Sequence, residues 1–169
     1  MFELKRLSKD AVPAALDRAE RYRLLGEPVE AESICEDVLA VDPGNTRALI
    51  VRLLALTDQF PDGPALARAR GMLGELPDGY SRAYYTGLIA ERAAKAMMRR
   101  GGIAVPHAAY GLFRDALEAY DQACRLAPPE NNEAVLRWNT CVRILRAHPE
   151  LAPEAGDAQE MMLDAHVDD

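Results

Sequence analysis

The sequence predicts an all-α chain, an array of antiparallel helix pairs, on three observations. Apolar residues recur at the three-and-four spacing of helix faces, with alanine, leucine and arginine common and β-branched runs scarce. Proline and glycine fall between those stretches, where helices end. A pattern also recurs: Ala31 precedes Pro43 by twelve residues, as Ala65 precedes Pro77 and Ala116 precedes Pro128, with Val38, Met72 and Ala123 seven residues after each alanine. The first two copies lie 34 residues apart and the third follows after 51, a period that signals helix–turn–helix repeats.

The bulk properties agree. A chain of 169 residues, 49% apolar and 28% charged, is long enough for one domain or one short array with a real core, and its usage is globular. The net charge of −7 is not spread evenly: residues 1–149 hold twenty acidic and twenty basic side chains, and the seven remaining acids lie from Glu150 onward. A neutral body lacks the broad basic footprint that neutralises phosphates, so no nucleic-acid partner is expected. No stretch is apolar enough for a signal peptide or a membrane span, so the expected location is cytoplasmic, with no membrane partner. Cys35, Cys124 and Cys141 have no metal-type spacing and read as buried free thiols.

Element by element, residues 1–9 are a lead-in. Asp10 is placed to cap a first helix over residues 11–25, where Pro13 is tolerated in the first turn and Leu16, Ala19, Tyr22 and Leu25 share a face. Gly26 stops it. Pro28 opens the second helix, with Ala31, Ile34, Cys35, Val38 and Leu39 on one side, and Asp42-Pro43-Gly44-Asn45 is a turn. Thr46 caps the third helix, which carries Leu49, Ile50, Leu53, Leu54 and Leu56 and breaks at Phe60-Pro61-Asp62-Gly63. Its partner over residues 64–76 packs through Ala65, Ala69, Met72 and Leu73, weakened by Gly71 and Gly74 at about 1 kcal/mol each.

The third pair is too long. After Pro77-Asp78-Gly79 the helical spacing continues through Ala83, Gly87, Ala90 and Ala94 to Met97 and Met98 before Gly101-Gly102, and the next helix starts near Pro106 or His107 and reaches about Leu126. The 17 residues beyond the period are best placed as two extra turns on each helix of residues 79–127, projecting about 10 Å past their neighbours. After Pro128-Pro129, Asn131 or Asn132 caps a closing helix to about Ala147 with Ala134, Leu136, Trp138, Cys141 and Leu145, and His148-Pro149 ends the folded region, residues 10–148. Residues 149–169 are an acidic tail in which residues 159–167 have the pattern of one short amphipathic helix.

At the three alanine-to-proline copies the chain resembles the tetratricopeptide repeat (TPR) family. The resemblance covers residues 10–147 and implies three helical hairpins plus a closing helix in a right-handed superhelix. Small residues at Ala19 and Gly87, and at Ala31, Ala65 and Ala116, would let paired helices approach closely. Leu53 at the matching place departs from the family pattern and implies a wider middle pair.

The family works as a binder of proteins. We find no phosphate loop, no nucleophile elbow, no HExxH and no ligand-spaced cluster of His, Cys and carboxylates, so neither an enzyme nor a cofactor is expected. The resemblance implies a concave surface lined by the first helix of each repeat. Aligned by the period, it holds Leu16, Glu20, Arg23, Arg47, Ser81, Val135 and Asn139, with Ile50, Val51, Leu54, Tyr84, Tyr85 and Leu88 in its middle. These would form a trough for a partner's apolar helix or extended peptide. The family's clamp for a partner's terminal carboxylate is not expected, because the matching positions hold Leu16, Glu20, Val51, Ser81 and Tyr85. Arg92, Lys95, Arg99 and Arg100 form a basic patch near the end of their helix, which complements the helix dipole or docks an acidic segment. The leading expectation is an adaptor or chaperone-like module with a protein or peptide partner. The alternative is self-assembly into a homodimer through the long hairpin or the tail.

Overall fold

A computed structural model describes residues 2–61, 63–102 and 105–153, and among them no strand occurs. Seven α-helices follow one another: α1 Val12–Leu24, α2 Pro28–Val41, α3 Thr46–Asp58, α4 Ala65–Gly71, α5 Gly79–Arg100, α6 Val105–Leu126 and α7 Glu133–Ala147. Single turns of 3₁₀ helix occupy Lys9–Ala11, Met72–Glu75 and Pro149–Leu151. The tail helix expected at residues 159–167 lies outside the described residues, as do Asp62 and the hairpin-tip residues Ile103 and Ala104.

Local chemistry sets the boundaries. Gly26 has φ 78°, the left-handed conformation that ends α1. Its N–H bonds the Arg23 carbonyl at 3.1 Å while that of Glu27 reaches Tyr22 at 2.9 Å, the paired bonds of a Schellman stop. Asp78 caps α5, accepting from the Ser81 N–H at 2.7 Å, and that bond holds its carboxyl below the usual range. Two expected caps are corrected. α3 is capped by Asn45, whose Oδ1 accepts from the Ala48 N–H at 2.9 Å, and Thr46 becomes its first residue. α1 is preceded by Ala11 and not by Asp10, because the Ser8 carbonyl takes the Ala11 N–H at 3.1 Å in a 3₁₀ turn.

Each even-numbered helix lies against two odd-numbered ones, and the core divides accordingly. α2 packs Ala31, Cys35 and Val38 against Leu16 and Ala19 of α1 and against Ala48, Val51 and Ala55 of α3. α3 turns its other face, Leu49, Leu53 and Leu56, to Ala65 and Ala69 of α4 and to Ile89 and Ala93 of α5. α6 packs Phe113, Ala116 and Tyr120 against Tyr84 and Ala94 of α5 and against Ala134 and Cys141 of α7. The odd helices touch in order, α1 to α3, α3 to α5 and α5 to α7. Ala31, Ala65 and Ala116 are all buried at helix contacts, each in a different one of the three core clusters.

The middle pair departs from the others. Fully buried Leu53 faces an α4 that stops at Gly71 and tightens to 3₁₀ over Met72–Glu75, and α4 packs less extensively on α3 than α2 does on α1. In the third pair α5 and α6 have 22 residues each, against 13 in α1 and α3. They run antiparallel: Gly79 faces Leu126, Gly87 faces Tyr120 and Gly102 faces Val105. Their extra turns are not bare on every side, because Phe60, at the end of α3, packs against Ala93 and Ala96 of α5.

Two residues expected on packed faces are exposed. Leu25 stands just past the last residue of α1, and Leu136 points away from the stripe of α7 that carries Ala134 and Cys141. The folded region also extends beyond residue 148, since Leu151 is buried with α6 and α7.

Candidate functional site

The site starts from one glycine. A Cβ on Gly87 would sit 2.7 Å from Cε1 of Tyr120, so only glycine lets that ring lie flat on α5. The ring carries its hydroxyl to Glu91, one turn further along α5, and donates to Oε2 at 2.6 Å. Burial, then the neighbouring Glu91 charge, holds the Tyr120 phenol far above its usual range, so it remains a donor. Glu91 is fully buried, and a carboxyl group there needs partners. It has two more: Lys95, one turn on, pairs with Oε1, and Arg137 of α7 reaches the same oxygen at 3.4 Å.

Beside this group runs a charged ladder across the odd helices. Arg23 of α1 donates from Nε to Asp58 of α3 at 2.7 Å. Arg92 of α5 pairs with the other oxygen of Asp58 and donates to Thr57 Oγ1 at 2.7 Å. Along the chain, Arg23 to Asp58 is 35 residues and Asp58 to Arg92 is 34, and each stands near the C-terminal end of its helix or on its later turns.

Between α3, α5 and α7 these residues enclose a cleft of about 340 Å³. Four cations line it, Arg92, Lys95, Arg99 and Arg137, against two carboxylates, Asp58 and Glu91. Three of the cations are positioned by Asp58, Thr57 or Glu91. Arg99 stands exposed at the mouth, with no carboxylate partner among the described residues. A net positive, partly enclosed and prearranged cleft suits an anionic group.

The residues of the expected basic patch line adjoining clefts, and Arg99 shares one with Arg100 beside Pro61 and Gly63. Arg92, Lys95 and Arg99 fall on one stripe of α5, at the spacing i, i+3, i+7, and line the cleft. Arg100, one residue further round the helix, also borders an apolar cleft of about 250 Å³ with Phe60, Leu66, Met97, Val105 and Leu112.

The expected apolar trough is placed differently by burial. Val51, Tyr84 and Leu88 belong to the core, each less than a tenth exposed. Ile50, Leu54 and Tyr85 remain half-buried. Leu54 belongs to none of the core clusters and lies one turn before Asp58 on α3. Tyr84 and Tyr85 meet edge-on at 5.1 Å, and burial pushes the Tyr85 phenol up to about 12. Arg47 is bound to Asp17 at 2.7 Å and Glu20 at 2.9 Å. Val135 is exposed and Asn139 half-buried, but both lie across α7 from Arg137.

Sequence reasoning misses Arg137, because the longer α5–α6 hairpin breaks the alignment that carries positions onto α7, and it misses Glu91, because an acid on a helix reads as solvated surface. The ladder has a sequence signal that could have found it: Arg23, Asp58 and Arg92 alternate in sign at spacings of 35 and 34 residues, within one residue of the spacing between the first two alanine-to-proline copies.

The cysteines are unpaired. Burial pushes Cys35 and Cys141 up to about 12, which keeps both protonated and unreactive. No helix among the described residues is long and apolar enough to cross a membrane. Compared with known protein families and with curated proteins, the chain matches no family model and no curated sequence.

Proposed function

We propose that this chain is a non-enzymatic protein-interaction module, a TPR-like superhelical array acting in the cytoplasm. It holds one acidic, partly apolar segment of a partner against the face made by α3, α5 and α7. The observation that carries this reading is the cleft whose four cations outnumber its two carboxylates, with half-buried Leu54 one turn away. A purely apolar ligand gives way to a mixed one, since Val51, Tyr84 and Leu88 are spent on the core. A segment presenting a carboxylate to Arg99 and Arg137, and an apolar side chain to Leu54 and Tyr85, uses both parts of the face.

The self-assembly alternative receives less support, because Phe60 already covers part of the extra length of α5 that a second copy would grip.

The test is binding of labelled model peptides to the full chain at low salt. A peptide alternating glutamate and leucine is expected to bind, and a lysine–leucine peptide of equal length is not. Affinity should fall as salt rises past the range where exposed charges are screened. Arg99→Glu should weaken the acidic peptide at least tenfold. Equal binding of both peptides, or no effect of Arg99→Glu, refutes the reading.

A further inference from the structure

The chain carries a segment with the chemistry its own cleft would accept, provided that the cleft takes acidic, partly apolar segments as proposed above. Residues 154–169 (EAGDAQEMMLDAHVDD) hold six acidic side chains, no lysine and no arginine, with Met161, Met162 and Leu163 in the middle. Acidic and apolar groups are thus mixed, as the α3–α5–α7 face demands. Residues 1–149 are balanced in charge overall, whereas the cleft gathers four cations against two acids and so concentrates the attraction for such a segment.

Reach is not limiting. Leu151 is anchored in the core just past α7. From His148 back to Arg137 along α7 the rise is about 16 Å. Sixteen residues extended can span about 55 Å.

We propose that residues 154–169 occupy the cleft of their own chain as an internal competitor, so that a partner's acidic segment binds only by displacing them. A tether of this length holds the segment at an effective concentration on the order of millimolar. A segment with intrinsic affinity of about 100 μM would then weaken every competitor about tenfold. The device sets a threshold: partners that use both the acidic and the apolar contacts bind, and weak acidic surfaces do not.

The experiment compares three full-length proteins. One is the wild type. In the second, Glu154, Asp157, Glu160, Asp164, Asp168 and Asp169 are changed to the corresponding amides. In the third, six exposed acids of the body, Glu3, Asp10, Glu27, Glu30, Glu118 and Glu130, are changed likewise, which matches the net charge with the tail intact. The probe is a fluorescent synthetic peptide of residues 154–169, followed by anisotropy at low salt.

The tail-neutralised protein should bind the probe about tenfold more tightly than the wild type, and the body-neutralised protein should resemble the wild type. Adding Arg99→Glu to the tail-neutralised protein should abolish the gain. Equal affinities in all three, an equal gain in both neutralised proteins, or a gain insensitive to Arg99→Glu overturns the proposal. The glutamate–leucine peptide separates this failure from that of the cleft itself. If it binds wild-type and tail-neutralised protein equally and through Arg99, the cleft stands and internal competition falls. If no acidic peptide binds either protein, both fall.

Discussion

Gly87 and Gly111 share one helical hairpin and make opposite predictions. A methyl group on Gly87 runs into the Tyr120 ring, while one on Gly111 meets nothing within 4 Å. Gly87→Ala should cost about 1–3 kcal/mol through overpacking, more than the roughly 1 kcal/mol gained from helix propensity. Gly111→Ala should keep that gain and stabilise by about 0.5–1 kcal/mol. Urea denaturation of the two variants gives both signs. The buried thiols yield a pH prediction. Cys35 and Cys141 are fully buried and held up to about 12, against an ordinary value of 9.0. Between those values the unfolded chain releases its thiol protons and the folded chain keeps them, so stability falls as pH rises above 9. Each thiol should contribute a loss of about 1.4 kcal/mol per pH unit. The urea midpoint should therefore drop between pH 8 and pH 10.5, and Cys35→Ala/Cys141→Ala should flatten that drop.

Among the elements, α4 is the weak one, and the reason is visible in its composition. The helix loses its α-helical geometry at Gly71 and the following turn contains Gly74. Neither glycine has a positive φ, and an added Cβ at either meets nothing within 4 Å. Gly71→Ala and Gly74→Ala should each stabilise by about 0.5–1 kcal/mol and slow hydrogen exchange in α4. Asp78→Ala should cost about 1 kcal/mol by removing the α5 cap. Existence and order of the helices are legible in the sequence because each is bracketed by proline, glycine or a capping side chain. The end at Gly26 and the start at Asp78 follow from side-chain chemistry that acts locally. The caps expected at Asp10 and Thr46 each lie one residue from the true position, since whichever oxygen reaches the first free N–H takes it, and that depends on backbone geometry. The basic stripe on α5 is legible from spacing, but that Arg99 and Arg100 both border the α3–α4 connection depends on how α5 packs there.

Across the whole molecule, the division of the core explains why the site is harder to read from the sequence than the helices are. Each core cluster joins an even helix to two odd ones, so the inner odd helices, α3 and α5, must divide their apolar residues between two cores. Val51 and Leu88 look like surplus apolar surface in the sequence because periodicity identifies a face and not its occupant. The structure assigns them to the core and leaves Leu54 and Tyr85 half-buried. Glu91 and Arg137 meet only because α7 closes against α5 and α6, a contact set by packing across the longest unit. If the cleft between α3, α5 and α7 selects acidic, partly apolar segments, that preference should emerge from a random peptide library panned on the immobilised full chain. The enriched peptides should combine acidic with apolar residues, and their binding should be lost in Arg99→Glu and Leu54→Glu proteins that retain wild-type circular dichroism. Enriched peptides without acidic residues, or binding that both substitutions leave unchanged, would show that the cleft has no such preference.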